Sequence, residues 1–180
     1  MNSQNPTTGS RALIRPLRND EVEPALAIIN EAARAYQGVI PADCWQEPYM
    51  PGDELRAEIG AGIDFWAYEA EGTILGVMGR QPLTEVTLIR HAYVLPAAQQ
   101  RGLGAQLLRH LLQGVNAPVL VGTWAAAWWA IRFYEKHGFK LVTPLVKDRL
   151  LRRYWNISDR QVETSVVLGY ERWFAADLAR

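Results

Sequence analysis

The stretch "AYVLPAAQQRGLGAQLLRHL", Ala92 to Leu111, changes its hydrophobic pattern halfway along. An apolar run closes at Pro96. Gln99-Gln100-Arg101-Gly102-Leu103-Gly104 follows, and then Leu103, Leu107, Leu108, Leu111 and Val115 recur at helical spacing. A strand therefore hands over to a helix across two glycines and an arginine. Helix N-termini present unpaired N–H groups and the positive end of the helix dipole. A glycine-bearing turn lets a phosphate come close to those groups. The junction reads as a pyrophosphate cradle, with Arg101 as an added cationic contact. Taken alone, it reads equally as a glycine-rich turn that holds nothing.

Working outward, "ALIRPL" reads as a first strand. Val22, Leu26, Ile29, Ala33 and Tyr36 mark an amphipathic helix that begins near Asn19 or Asp20. "QGVIPADCWQEPYMPGD" is a long loop with many aromatics, and a short helix spans about Asp53 to Ile59. "DFWAYEAEGTILGVMGRQ" is two strands turning at Glu71-Gly72. "VTLIRHAYVL" is a strand, Gly102 to about Gln113 a helix, and "PVLVGTW" a buried strand. Trp128 to His137 is a helix closed by Gly138. "FKLV" is a strand, Ser158 and Gln161 form a capping box, and "TSVVLGY" is the last strand. Such mixing predicts an α+β domain over residues 11–180, behind a flexible polar tail at 1–10.

The composition narrows the partners. Nineteen Lys and Arg balance nineteen Asp and Glu in 180 residues, which argues against a polyanion such as nucleic acid. One cysteine, Cys44, excludes an internal disulfide and suits a cytoplasmic setting. "MNSQNPTTGS" lacks the charged and apolar regions of a signal peptide, and no apolar window reaches the length of a membrane span. His110 and His137 lie on separate helices with no further ligand at metal spacing, so no metal is expected.

Three phosphate cradles compete for the junction. The P-loop pattern G-x-x-x-x-G-K-[ST] is missing. A dinucleotide fold wants a third glycine where Leu107 stands, and a later acid that "VGTWAA" does not offer. The third is [QR]-x-x-G-x-[GA] after a strand ending in valine, which Val94 through Gly104 follows. One helix and one strand further on stands "WWAIRFYEKHGF", Trp128 to Phe139. Together these segments resemble the acyl-coenzyme A loop and the tyrosine-bearing helix of the GNAT acetyltransferases. The resemblance covers about Ile14 to Tyr170, and "LIRHAYV", "AYQGVIP" and "RQVETSVVL" are similar to a bacterial subgroup of that family.

The resemblance implies a mixed central sheet of six to seven strands flanked by helices. Two splayed parallel strands, "LIRHAYV" and "VLVGTW", would hold acetyl-CoA. Its contacts would be Val94, Leu95, Gln99, Gln100, Arg101, Gly102, Leu103, Gly104 and Ala105, with Tyr134 at the sulfur. It implies an N-acetyltransferase acting on the primary amine of a small molecule by direct attack on the thioester. A protein or peptide acceptor and a non-catalytic acyl-CoA-binding module stay open as alternatives, as does a homodimer.

The chemistry asks for a neutral amine, a donor for the carbonyl oxygen and a proton for the thiolate. A backbone N–H at or beside Val94 would be the oxygen's donor, and Tyr134 the acid. Two positions depart from the family. Ala127 stands where many members have asparagine, and Leu88 where many carry a glutamate base. His91, because an imidazole titrates near neutrality, and Glu85 are the candidate replacement bases; His91 reads equally as a core histidine, with the amine losing its proton to water. Strict alternation sets Arg90 with Leu88 on one face and His91 with Tyr93 on the other, unless a bulge intervenes. Tyr36, Trp45 and Tyr49 are acceptor-site candidates through stacking or cation–π contact, or else they fasten the loop. Arg90 is a candidate partner for an acidic group on the acceptor. Trp124, Trp128 and Trp129 read as core, and "KDRLLRRYW" as a basic patch facing phosphates, an acidic acceptor or solvent.

Overall fold

The computed structural model describes residues 12–177, so the tail at 1–10 lies outside the described residues. The chain runs through β1 (Leu13–Pro16), α1 (Val22–Ala33), α2 (Gly52–Gly60), β2 (Asp64–Ala70), β3 (Thr73–Pro82), β4 (Thr87–Val94) and α3 (Leu103–Leu112). It continues through β5 (Val119–Trp124), α4 (Trp128–Lys136), β6 (Phe139–Leu141), α5 (Pro144–Tyr154), α6 (Asp159–Thr164), β7 (Ser165–Tyr170) and α7 (Glu171–Asp177). All seven strands form one sheet in the order β1-β2-β3-β4-β5-β7-β6. β4 and β5 are its parallel pair; the other neighbours are antiparallel.

Local chemistry accounts for most of these elements. Glu71 and Gly72 both take positive φ, 53° and 75°, the backbone a two-residue hairpin turn requires. Gly138, at φ 88°, ends α4. The Ser158 and Gln161 side chains close a capping box on α6.

The core lies on both faces of the sheet. On one, Met78, Ile89, Val121 and Leu168 pack against Leu107, Leu108 and Leu111 of α3, with Tyr134 and Phe139. On the other, Phe65 and Val77 meet Ala25, Ile28 and Ile29 of α1 and Leu55 of α2. Further along that second face, Leu88, Leu120 and Val167 meet Leu150 and Leu151 of α5 and Val162 of α6. α5 is the helix that the basic patch conceals. Charged residues at 147–149, 152 and 153 hide its two buried leucines, and α7 is likewise absent from the sequence reading.

The parallel pairing is short. β4 and β5 are in register at Thr87/Val119, Leu88/Leu120 and Ile89/Val121, and there the pairing stops. β4 goes on along β3 as far as Val94, while β5 goes on along β7 as far as Trp124. The two strands therefore part beyond Ile89. The β3–β4 ladder also slips here: Gly79 faces Arg90, but Val77 faces Tyr93. His91 and Ala92 thus stand opposite Met78 alone, and His91 takes φ 49°. This is a β-bulge, which bends its strand. Among the described residues no helix is long and apolar enough to cross a membrane.

Candidate active site

The strand-to-helix junction leaves a run of backbone N–H groups without protein acceptors among the described residues. A 3-10 turn at Pro96–Ala98 leads to Gln99, whose side-chain Nε2 donates to the Val94 carbonyl at 3.0 Å. Gln100 (φ 60°) and Gly102 (φ 81°) then turn the chain into α3. Gln106 makes the first bond into this turn, donating to the Gly102 carbonyl at 3.1 Å. Among the described residues, the N–H groups at 100–105 have no protein acceptor. A Cβ at Gly104 would sit 3.6 Å from Phe133 and 3.8 Å from Val94, so a small side chain fits there but a longer one must project into the cradle.

Val94 aims its backbone at the gap between the parted strands. The Leu95 N–H donates to the Leu75 carbonyl at 2.9 Å, so that pair is hydrogen-bonded and the next, Gly76/Val94, is not. The Val94 N–H and carbonyl consequently point away from β3, toward the side that β5 has vacated. This leaves an unused donor where a thioester oxygen would need one.

The bulge changes which side chains share a face. Arg90 Nη2 is 2.6 Å from Glu58 Oε1, and His91 Nε2 meets Glu58 Oε2, so neighbouring residues of β4 reach the same carboxylate. The expected separation of Arg90 from His91 and Tyr93 is therefore corrected. The extra residue places all three on the face that carries α1 and α2. Phe65 stacks on the His91 ring, with centroids 5.6 Å apart. Arg90 Nη1 also donates to Gln81 Oε1 at 3.2 Å. Burial works to raise the Glu58 carboxyl, but contact with His91 and Arg90 outweighs it and holds the group below its ordinary value. Glu58 is therefore ionised at neutral pH.

A cavity of about 160 Å³ opens where β4 and β5 part. Its walls include Tyr36, Tyr49, Arg90, His91, Tyr93 and Trp155. Trp124 also lines it, and its Nε1 donates to the Tyr49 hydroxyl at 2.9 Å. Tyr36 stacks against Tyr49 and Trp129, at 5.6 and 5.8 Å between centroids. Burial pushes the phenols of Tyr36, Tyr49, Tyr93 and Tyr134 above their ordinary range, so all are neutral donors. Tyr134 packs from α4 into the core, near Tyr36 and Tyr93.

The structure thus brings Tyr36, Tyr49, Arg90 and His91 to one cavity, whose lining includes neither Tyr134 nor the 94–105 loop. Trp45 stacks on Tyr49 at 5.5 Å behind the lining. Glu85 is not brought in. It sits in the turn before β4, where the Tyr154 hydroxyl donates to it at 2.7 Å and Arg153 pairs with it at 2.5 Å. The three tryptophans divide: Trp124 lines the cavity, while Trp128 is 60% exposed under Arg132. The basic patch is largely answered by acids, Arg152 by Asp159 and Lys147 by Asp148. Ala127, at the family's asparagine position, is buried against Ile40 and Trp124. Glu58 was missed, for it reads as one more acid on an amphipathic helix. No group of His, Cys, Asp and Glu among the described residues is arranged to hold a metal ion.

Residues 61–141 match the family model described as an acetyltransferase (GNAT) domain. A PaiA N-acetyltransferase from Thermoplasma acidophilum, solved with coenzyme A, shares the fold at 16% identity and TM-score 0.65, over 89% of this chain and 98% of that one. A GNAT-family acetyltransferase from Staphylococcus aureus does so at 14% identity and TM-score 0.67, with the same coverage. The N-acetylglutamate synthase of Neisseria gonorrhoeae, solved with coenzyme A and N-acetyl-glutamate, gives 18% identity and TM-score 0.65 over 89% of this chain and 35% of that one. Comparison with curated proteins gives no match.

Proposed function

We propose that this chain, whose residues 61–141 match the GNAT acetyltransferase domain model and which shares the fold of solved GNAT proteins, moves the acetyl group of acetyl-CoA to the primary amine of a small molecule. The observation that carries this reading is the parting of β4 from β5 beyond Ile89/Val121, with a side-chain-lined cavity in the opening. The free N–H groups at 100–105 suit the pyrophosphate of the donor, and the Val94 N–H suits its carbonyl oxygen. Tyr134, a neutral phenol, suits the departing sulfur. The C–N bond then forms as the C–S bond breaks, with no covalent link to the protein.

The acceptor class rests on the cavity. Its size favours a small amine over a folded polypeptide, and its tyrosine walls suit an ammonium group before deprotonation. A second hollow of about 460 Å³, lined by Val39, Ile40, Pro41, Arg160 and Thr164, shares Trp124 with this cavity.

The test is thiol release from acetyl-CoA with a panel of free amines and of peptides with matched N-termini. Release with a free amine at the higher kcat/KM supports the reading. Release with peptides alone moves the acceptor to proteins. Tight acetyl-CoA binding with no release from either set leaves a non-catalytic binding module.

A further inference from the structure

His91 is held in an unusual way for a strand residue. It occupies the bulge of β4 at φ 49°, a backbone conformation that few non-glycine residues adopt. Its ring is fixed on one face by Phe65 of β2 and at one edge by Glu58 of α2. The His91 Nε2 and Glu58 Oε2 atoms are both buried and in ion-pair contact with each other, and among the described residues neither has a hydrogen-bond partner. The charged groups about the ring are Glu58 and Glu54 of α2 and Arg90 of β4. Among the described residues Nδ1 makes no hydrogen bond, and His91 lines the cavity. A carboxylate against Nε2 favours the tautomer with its proton there, which leaves the Nδ1 lone pair free.

We propose that Glu58 is a positioning residue for acetyl transfer: it holds His91 in the Nε2–H tautomer, so that Nδ1 takes the acceptor amine's proton directly or through one water. This rests on the acetyltransferase reading above. In the step, the amine nitrogen forms its bond to the acetyl carbon as the C–S bond breaks. The amine's proton passes to Nδ1 and the sulfur takes a proton from Tyr134; solvent then removes the proton of the imidazolium, which faces the Glu58 carboxylate, and returns one to the Tyr134 phenolate. Because Glu58 comes from α2, the reaction draws on an element that carries none of the family's motifs. It also fills the function left open by Leu88. Arg90 shares the carboxylate, which keeps Glu58 ionised and its second oxygen in place.

Two measurements test this. The first is nitrogen NMR of the histidine-labelled protein, with the His91 signal identified by its loss in H91Q. We expect the Nε2–H tautomer at neutral pH. An Nδ1–H tautomer overturns the proposal, whether or not an acceptor has been found. The second is kinetic, with an amine that supports release by the wild-type protein. E58Q should lose roughly 10–100-fold in kcat with little change in the KM for acetyl-CoA. E58D should recover part of that loss. The double variant E58Q/H91Q should be no slower than H91Q, because Glu58 acts through the ring. Independent losses that multiply, or E58Q at wild-type kcat, defeat the proposal while leaving the acetyltransferase intact. Should E58Q fail to fold with Arg90 left unpaired, E58D and the NMR measurement still decide the matter. A wild-type protein that acetylates no amine removes the acetyltransferase reading and this one together.

Discussion

The role proposed for Tyr134, protonating a departing thiolate, requires that the phenol keep its proton, and burial ensures that it does. Its ring meets Phe133 and Phe139 at 5.1 and 5.5 Å between centroids, so the phenol is held by packing that phenylalanine would preserve. Tyr134→Phe should therefore lower kcat by roughly tenfold or more while acetyl-CoA affinity, read by calorimetry, changes much less. An unchanged kcat with chemistry rate-limiting removes the phenol from the mechanism. Tyr134 was legible because it sits inside a local signature. Glu58 was not, since nothing in "GDELRAEIG" says which strand residue its carboxylate will meet.

β4 shows what an element adds to its residues. As a regular strand it would send Arg90 and His91 to opposite faces; with one extra residue it sends both to Glu58. No turn residue marks that bulge, because it lies within an unbroken run of strand formers. The strand-to-helix junction is the opposite case. Its glycines announce the backbone, and Gly102 occupies the left-handed region that opens α3. Gly104→Glu should weaken acetyl-CoA binding by at least about tenfold, through bulk and like charge at the cradle. Gly104→Ala, whose Cβ meets only ordinary contacts, should stay close to wild type. Undiminished affinity in a folded Gly104→Glu protein would mean that the donor's phosphates bind elsewhere.

Across the whole molecule, the edge strand β1 is tied down by a charge cluster as well as by the packing of Ile14 on the core. Arg15 donates to both oxygens of Glu21 at 2.7 Å and also reaches Glu69 of β2 at 2.5 Å. The Arg18 N–H adds a bond to Glu21 at 2.9 Å. The hydrogen bonds from Arg15 lead in holding the Glu21 carboxyl down at about 2, against an ordinary 4.5. A depressed acid contributes stability that is complete above its unfolded value and is lost as pH falls through the folded one. Glu21→Gln should therefore lower Tm at pH 7 by about 4–8 °C, for roughly 2 kcal/mol after allowance for solvent screening. The gap from wild type should narrow steadily between pH 4.5 and 2. A constant gap in thermal melts across that range would show that Glu21 acts through packing instead.

What the sequence by itself determined is the set of local decisions: where the strands and most helices fall, the positive-φ turns at Glu71-Gly72 and Gly138, the capping box at Ser158, and the glycine-bearing strand-to-helix turn at Gln99 to Gly104. Each depends on residues within one turn or one helical period of each other, so each can be read from spacing. What only the tertiary structure decided is where β4 leaves β5, where its bulge falls, and which distant side chains meet in the opening. Glu58 reaches His91 across 33 positions of chain, and Trp124 donates to Tyr49 across 75. Such pairings follow from how the helices pack on a bent sheet, and burial, not spacing, sets their charge and hydrogen bonding.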